Sequence, residues 1–252
     1  MNNNFNNNST NNPAFNMQYL ENIVAQGEVM TVSGTVIKTA GLLLLLFASA
    51  GFVWNILAQG YSDMANIYTG AGFLTALILG FVIIFKRQSP VIRFLVPIYT
   101  LAEGFLLGNL SFLMEHSFPG VVQMAVRATF LCVAVMLALY KTEVIKVNDK
   151  FRSVIILAMI TIFGIYAIDL LLSFFGIHVP MVYSTTPFGI GFSLLVVGIL
   201  AFNLLLDFDF IEQASARMLP KHMEWYGAFG VMLSIIWLYV EMLRLLAKMQ
   251  RK

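Results

Sequence analysis

The stretch GLLLLLFASAGFVWNIL, residues 41–57, decides the fold class of this chain. With its apolar flanks it covers about residues 35–58. A helix of this length, at about 1.5 Å per residue, crosses a hydrocarbon core about 30 Å thick. In lipid only helices and closed barrels satisfy every backbone polar group, and the stretch lacks the alternation of a barrel strand. It therefore predicts a transmembrane helix.

Six more apolar stretches of similar length follow it. They cover about residues 65–85, 94–114, 120–140, 152–175, 188–211 and 224–247. Hydrophobic residues make up 59% of the chain and charged residues only 11%, whereas a soluble domain carries about 25% charged residues. The sequence predicts an all-α integral membrane protein, in which residues 35–252 form a seven-transmembrane-helix bundle with short loops.

Two segments precede this predicted membrane domain. Residues 1–16 read MNNNFNNNSTNNPAFN, and this Asn-rich, low-complexity composition predicts a disordered tail. Residues 17–34 alternate apolar and polar side chains, which fits either a short interfacial helix or a linker. We expect no cleaved signal peptide, because neither segment contains the apolar core of one.

Of the six loops between the stretches, only every second one contains lysine or arginine. The loops after the second, fourth and sixth stretches carry Lys86, Arg87, Arg93, Lys141, Lys146, Lys150, Arg152, Arg217 and Lys221. The positive-inside rule therefore places these loops and the N-terminus in the cytoplasm, which means the cytoplasmic (inner) membrane if the source is bacterial. A seventh full crossing puts Lys248 and Arg251 outside, against the rule. We expect that the last helix crosses the membrane fully. The alternative is that it enters and leaves on the same side.

The sequence carries no motif of a known enzyme class. It has no H-E-x-x-H, no G-x-S-x-G, no P-loop and no paired cysteines, and its single Cys132 lies in an apolar run. Intramembrane aspartyl proteases are the nearest competitor, but their glycine-flanked aspartate is missing at Asp207 and Asp209. We expect no enzymatic activity, no cofactor and no nucleic-acid partner.

Ionisable side chains inside the predicted spans are the candidate functional residues, because a charge at the bilayer centre costs at least about 2.5–3.5 kcal/mol. They are Glu103, Arg127, Asp169, Asp207, Asp209 and Glu241. Arg127 and Asp169 have similar depths below the outer boundary, and Glu103 is slightly deeper. An ion pair of Arg127 with one of these carboxylates is expected, either as a structural salt bridge or as part of a permeation path.

Asp207 is the better interior candidate of the two acids in the sixth stretch. Asp207 and Asp209 point about 200° apart around a helix, and Asn203 lies one turn before Asp207 on the same face. Two carboxylates that share a site withheld from water titrate as a coupled unit. When protonated they clamp two helices together, and when ionised they repel each other or attract a cation. The pattern predicts a pH-dependent gate with a transient cation near Asp207.

Five segments carry a resemblance to a known family. They are Ser9 with Asn12, Pro13, Ala14 and Phe15; MTVSGTVIKTAGLLLLL, residues 30–46; FNLLLDFDFIEQ, residues 202–213; MEWYGAFG, residues 223–230; and WLYVEMLRLLAK, residues 237–248. In these segments the chain resembles the bacterial Bax inhibitor-1-like branch of the transmembrane Bax-inhibitor-motif superfamily. The resemblance covers nearly the whole chain and is most specific toward the C-terminus.

The resemblance implies a seven-helix bundle with a buried last helix, and a pH-sensitive calcium leak gated by two acids on the last two helices. Leu206-Asp207-Phe208 matches the motif of the first acid. The run Leu238-Tyr239-Val240 before Glu241 matches the motif of the second, so Glu241 is the first choice. An alignment on the terminal Leu-Arg places Ser234 there instead, and no acid.

Helix depth gives a different second acid. If both helices cross fully, Asp207 and Glu241 are separated by about 20 Å in depth, and Glu224 then lies nearer to Asp207. Some relatives also carry a carboxylate in the second helix. In this chain Glu103, in the third stretch, is the candidate to replace it.

We therefore expect a pH-sensitive passive cation leak with calcium as the permeant ion. Calcium takes six to eight oxygen ligands, but a leak needs only weak, transient sites. The alternative is a non-transporting regulator of membrane-protein quality control or stress response, which binds a membrane protease or another membrane protein through its Asn-rich tail. A proton-coupled carrier is disfavoured because the sequence shows no internal repeat.

Overall fold

The computed structural model describes residues 29–177 and 179–251. The predicted tail, residues 1–16, and residues 17–28 of the predicted interfacial segment or linker lie outside the described residues. Seven long helices are formed: α1 Val32–Ala58, α2 Ser62–Phe85, α3 Ile92–Ser117, α4 Val121–Lys141, α5 Asp149–Ser173, α6 Pro187–Ala216 and α7 Met223–Gln250. A four-residue helix, Pro180–Tyr183, lies in the connection between α5 and α6.

All seven long helices have the length and apolar composition needed to cross a membrane, which confirms the predicted all-α seven-helix fold. Several helices extend beyond the apolar stretches predicted from the sequence, because polar residues form their terminal turns. Capping residues define where three of the helices begin. The side chains of Thr31, Asn148 and Thr186 accept hydrogen bonds from backbone N–H groups in the first turns of α1, α5 and α6. Pro187 occupies the first position of α6, where no N–H is needed.

The last helix lies at the centre of the bundle. α7 packs against α1, α3, α4 and α6, and it contributes more buried residues than any other helix. Met232, Leu238 and Leu243 on it have no exposed surface. The buried last helix that the family resemblance implies is therefore present.

α7 runs antiparallel to α6 over the full length of the bundle. At one end the backbone N–H of Met30 donates to the carbonyl of Leu219, in the turn between α6 and α7, at 2.7 Å. At the other end Lys248 donates to the carbonyl of Gly189, in the first turn of α6, at 3.1 Å. The C-terminal end of α7 therefore lies opposite to the end that holds Met30, in agreement with the full crossing.

Candidate functional site

Asp207 lies in the interface between α6 and α7. The hydroxyl of Ser234 lies beside its carboxyl, and a Cβ added to Gly230 would lie 3.9 Å from its Oδ1. Its Oδ2 is buried and has no hydrogen-bond partner among the described residues. A buried, unpartnered carboxyl oxygen is costly, and a proton or a cation bound there relieves the cost.

Helical periodicity places four residues of this site on two facing stripes. Asn203 and Asp207 are one turn apart on α6, and Gly230 and Ser234 are one turn apart on α7. The side-chain amide of Asn203 donates to the hydroxyl oxygen of Ser234 at 2.9 Å. The site therefore brings an amide, a hydroxyl and a carboxyl together, with a hydrogen bond from the amide to the hydroxyl. The predicted Asn203–Asp207 stripe faces the neighbouring helix.

Glu241, the first choice for a second acid, does not meet Asp207. It lies seven residues beyond Ser234, about 10 Å along the axis of α7. Its Oε2 accepts hydrogen bonds from the hydroxyl of Tyr166 at 2.8 Å and from the guanidinium of Arg244 at 2.7 Å. Its Oε1 is buried with no partner among the described residues. The two acids are therefore apart in depth, as the sequence argument requires, but by about 10 Å and not by about 20 Å.

Glu224, the alternative second acid, is bound elsewhere. Its carboxylate is fully buried and accepts from the backbone N–H and the hydroxyl of Thr31, each at 2.8 Å. Lys221 donates to it at 2.7 Å, and Lys38 of α1 completes the ion-paired cluster. This cluster ties the start of α1 to the start of α7, so Glu224 is not available to share a site with Asp207.

Asp209 faces away from Asp207, as the helical angle between them requires. Its Oδ2 accepts from the guanidinium of Arg152, at the start of α5, and from the amide of Gln213 at 2.7 Å. Both partners lie near the end of the bundle that contains the basic loops. Asp209 therefore belongs to an ion pair between α5 and α6.

Arg127 forms no ion pair with the carboxylates of the described residues. Arg127 is exposed, whereas Asp169 is buried and accepts from the N–H of Val179 at 2.8 Å and the hydroxyl of Tyr183 at 2.9 Å. Glu103 lies beside Tyr99, one turn earlier on α3. Helix depth was the basis for the expected pair, but depth leaves the direction of each side chain around its helix undetermined.

Two lysines inside the bundle were missed. Lys248 is only 4% exposed and donates to Gly189 and to the hydroxyl of Ser193 at 2.9 Å. Sequence reasoning assigned it to the outer surface with the C-terminal charges. Lys38 binds Glu224 and lies within the first apolar stretch. The rule used for the acids would have found Lys38, whereas the burial of Lys248 had no local signal.

No group of three or more His, Cys, Asp or Glu side chains that could hold a metal occurs in residues 29–177 and 179–251. Around Asp207 the oxygens come from one carboxyl, one amide and one hydroxyl. Calcium takes about six to eight oxygens, so these alone do not form a tight calcium site. A transient cation near Asp207 stays a prediction.

A family model described as Bax inhibitor 1 like matches residues 2–251. The match extends over nearly the whole chain and includes all five segments on which the resemblance was recognised. No curated protein and no solved structure matches the chain.

Proposed function

The chain belongs to the Bax inhibitor 1 like family, and from this membership and the site at Asp207 we propose that it is a pH-sensitive passive cation leak. It is a multi-pass integral membrane protein. Calcium is the proposed permeant ion, and the protein has no enzymatic activity in this proposal. The N-terminus faces the cytoplasm, and the membrane is the cytoplasmic (inner) membrane if the source is bacterial.

The observation that carries the proposal is the unpartnered Oδ2 of Asp207 beside the central helix. A protonated carboxyl is neutral, so α6 and α7 can stay in close contact around it. An ionised carboxyl in the same place requires water or a cation, because an isolated charge is costly inside a membrane. Deprotonation therefore favours an interface that admits a cation, and one carboxylate binds that cation weakly enough to release it.

Acidic groups lie on both sides of Asp207 along the bundle. Toward the C-terminal end of α7, the buried Oε1 of Glu241 has no partner among the described residues. Toward the basic loops, a cavity of about 690 Å³ opens between α1, α4, α6 and α7, and it is lined by the acids Asp209, Glu212 and Glu143 together with Lys141 and Lys146. Carboxylates that can contact a cation therefore lie on both sides of Asp207.

The test is calcium flux into proteoliposomes from about pH 5 to about pH 8, the range in which a buried carboxyl is expected to titrate. We expect the natural chain to conduct several-fold more calcium at about pH 8 than at about pH 5, because the ionised carboxyl is the form that admits a cation. Asp207→Asn should remove that dependence because its amide does not titrate. Asp209→Asn is the matched control, since Asp209 lies in an ion pair on the opposite face, and it should keep the pH dependence.

Correctly folded protein that passes no calcium at any pH would exclude the leak. The non-transporting regulator would then be the better hypothesis. A variant that lacks residues 1–16 separates the two further. A leak keeps its flux without the tail, whereas a regulator that uses the tail loses its membrane protease or other membrane partner.

A further inference from the structure

We propose that Asp207, Asn203 and Ser234 form a binding site for a single proton, so that one protonation event, and not the coupled titration of two carboxyls, controls the interface between α6 and α7. The inference rests on the proposed function only in taking Asp207 as the gating carboxyl. The single-proton site replaces the pair of acids that was expected from the sequence.

The residue of α7 that meets Asp207 is a serine. Its hydroxyl lies beside the carboxyl, and the neighbouring residue on the same stripe is Gly230, which has no side chain. Serine does not titrate in the range of carboxyl groups. α7 therefore contributes no second proton-binding group at this depth.

None of the charged and titratable groups on the elements around α6 is hydrogen bonded or ion paired to Asp207 in the described part of the chain. They are Lys38 on α1; Arg127, Cys132, Tyr140 and Lys141 on α4; Asp149, Lys150, Arg152, Tyr166 and Asp169 on α5; Tyr183 on the four-residue helix; Asp209 and Glu212 on α6 itself; and Glu224, Tyr226, Tyr239, Glu241, Arg244 and Lys248 on α7. Asp149 is exposed at the start of α5, and the other acids are bound. Asp169 is bound to Val179 and Tyr183, Asp209 to Arg152, Glu212 to Tyr140, Glu224 to Lys38 and Lys221, and Glu241 to Tyr166 and Arg244. None of these acids contacts Asp207 in the described part of the chain.

Hydrogen-bond direction identifies the atom that takes the proton. An amide N–H only donates, so the amide of Asn203 occupies a lone pair of the Ser234 hydroxyl oxygen. The hydroxyl hydrogen is then free to be donated to the carboxyl of Asp207. Oδ2 is the carboxyl oxygen that keeps an open position, and the proton binds there.

A site with one carboxyl titrates differently from a carboxyl pair. One independent group binds one proton with a Hill coefficient of about 1, whereas two groups that interact strongly lose their protons in two macroscopic steps. Ser234 is therefore the residue that determines the proton count of the site. A carboxylate in its place would create the coupled pair that the natural chain lacks.

The test is an infrared titration of the carboxyl C=O band in the full-length protein reconstituted into lipid vesicles. The band that disappears in Asp207→Asn belongs to Asp207. We expect it to follow a single transition with a Hill coefficient of about 1. Ser234→Asp should give two transitions separated by at least about one pH unit. Ser234→Asn, which matches aspartate in size but does not titrate, should keep the single transition.

Three results would overturn the one-proton site. They are two transitions in the natural chain, the absence of any Asp207 transition, and a Ser234→Asp protein that titrates like the natural one. If Ser234→Asp does not fold, the natural chain and Ser234→Asn still decide the proton count.

The infrared titration does not depend on calcium flux. A one-proton band in a protein that conducts nothing therefore refutes the leak alone, and flux with a two-proton dependence refutes the one-proton site alone.

Discussion

Glu224 and Glu241 are both fully buried on α7, but they differ in how their charge is compensated. Both oxygens of Glu224 have partners, two of which are lysine ammonium groups. The site also excludes a side chain on α1, because a Cβ on Gly34 would lie 2.2 Å from a Glu224 oxygen. One oxygen of Glu241 has no partner within residues 29–177 and 179–251. Glu224 is therefore a structural anchor, while Glu241 remains a candidate for contact with a cation.

At this scale we expect Glu224→Gln to lower the free energy of unfolding by about 3 kcal/mol. The neutral amide leaves two lysines near a buried position without their counter-charge. Unfolding of the purified protein in detergent measures the effect. Glu212→Gln is the control: Glu212 is exposed and binds Tyr140, so its loss should cost less than about 1 kcal/mol. Equal stabilities of the two variants would contradict the anchoring role.

At the scale of elements, α1 and α3 approach closely because α3 presents glycines to α1. A Cβ on Gly108 would lie 2.3 Å from the carbonyl oxygen of Ala50, and one on Gly104 would lie 1.7 Å from the hydroxyl of Ser49. Small residues at a crossing let helix backbones pack closely in a membrane, where burial of apolar surface gives little attraction. These glycines therefore allow the close packing of α1 and α3, the pair of helices against which α7 packs.

Gly108→Ala should reduce stability by about 1 to 3 kcal/mol, since one of the two backbones must move to admit the methyl group. Gly51→Ala is the matched control on α1. A Cβ there meets nothing within 4 Å, so alanine should leave stability unchanged or raise it by up to about 1 kcal/mol through its higher helix propensity. Thermal unfolding in detergent compares the two, and a loss in Gly51→Ala as large as in Gly108→Ala would contradict the packing argument.

At the scale of the whole molecule, the antiparallel pair of α6 and α7 joins the two ends of the bundle. The end with the α6–α7 turn holds Glu224, Lys38 and Asp209, and the other end holds Lys248 beside the first turn of α6. Asp207 lies between them. Any path through the bundle at this interface therefore passes Asp207, and its direction depends on the orientation in the membrane.

Orientation follows from single cysteines in a Cys132→Ser background. Gln59, Gln88 and Gln250 are all exposed and lie at the α1–α2 turn, in the α2–α3 loop and at the end of α7. With the basic loops inside, an impermeant maleimide should label Gln59→Cys and Gln250→Cys in intact cells, and Gln88→Cys only after permeabilisation. Labelling of Gln88→Cys in intact cells would reverse the orientation. Labelling of the cysteine-free background would invalidate the comparison.

The sequence by itself determined the number and class of the helices, because a backbone in lipid must bond within its own segment and apolar length is a local property. It also determined that Asn203 and Asp207 share a face, since both lie on one helix. Only the tertiary structure decided that Ser234 meets Asp207, that Arg127 is exposed and that Lys248 is buried. Each of these depends on the rotation of a helix about its axis. Contacts such as Thr31 with Glu224, 193 residues apart, fix that rotation, and no local pattern records it.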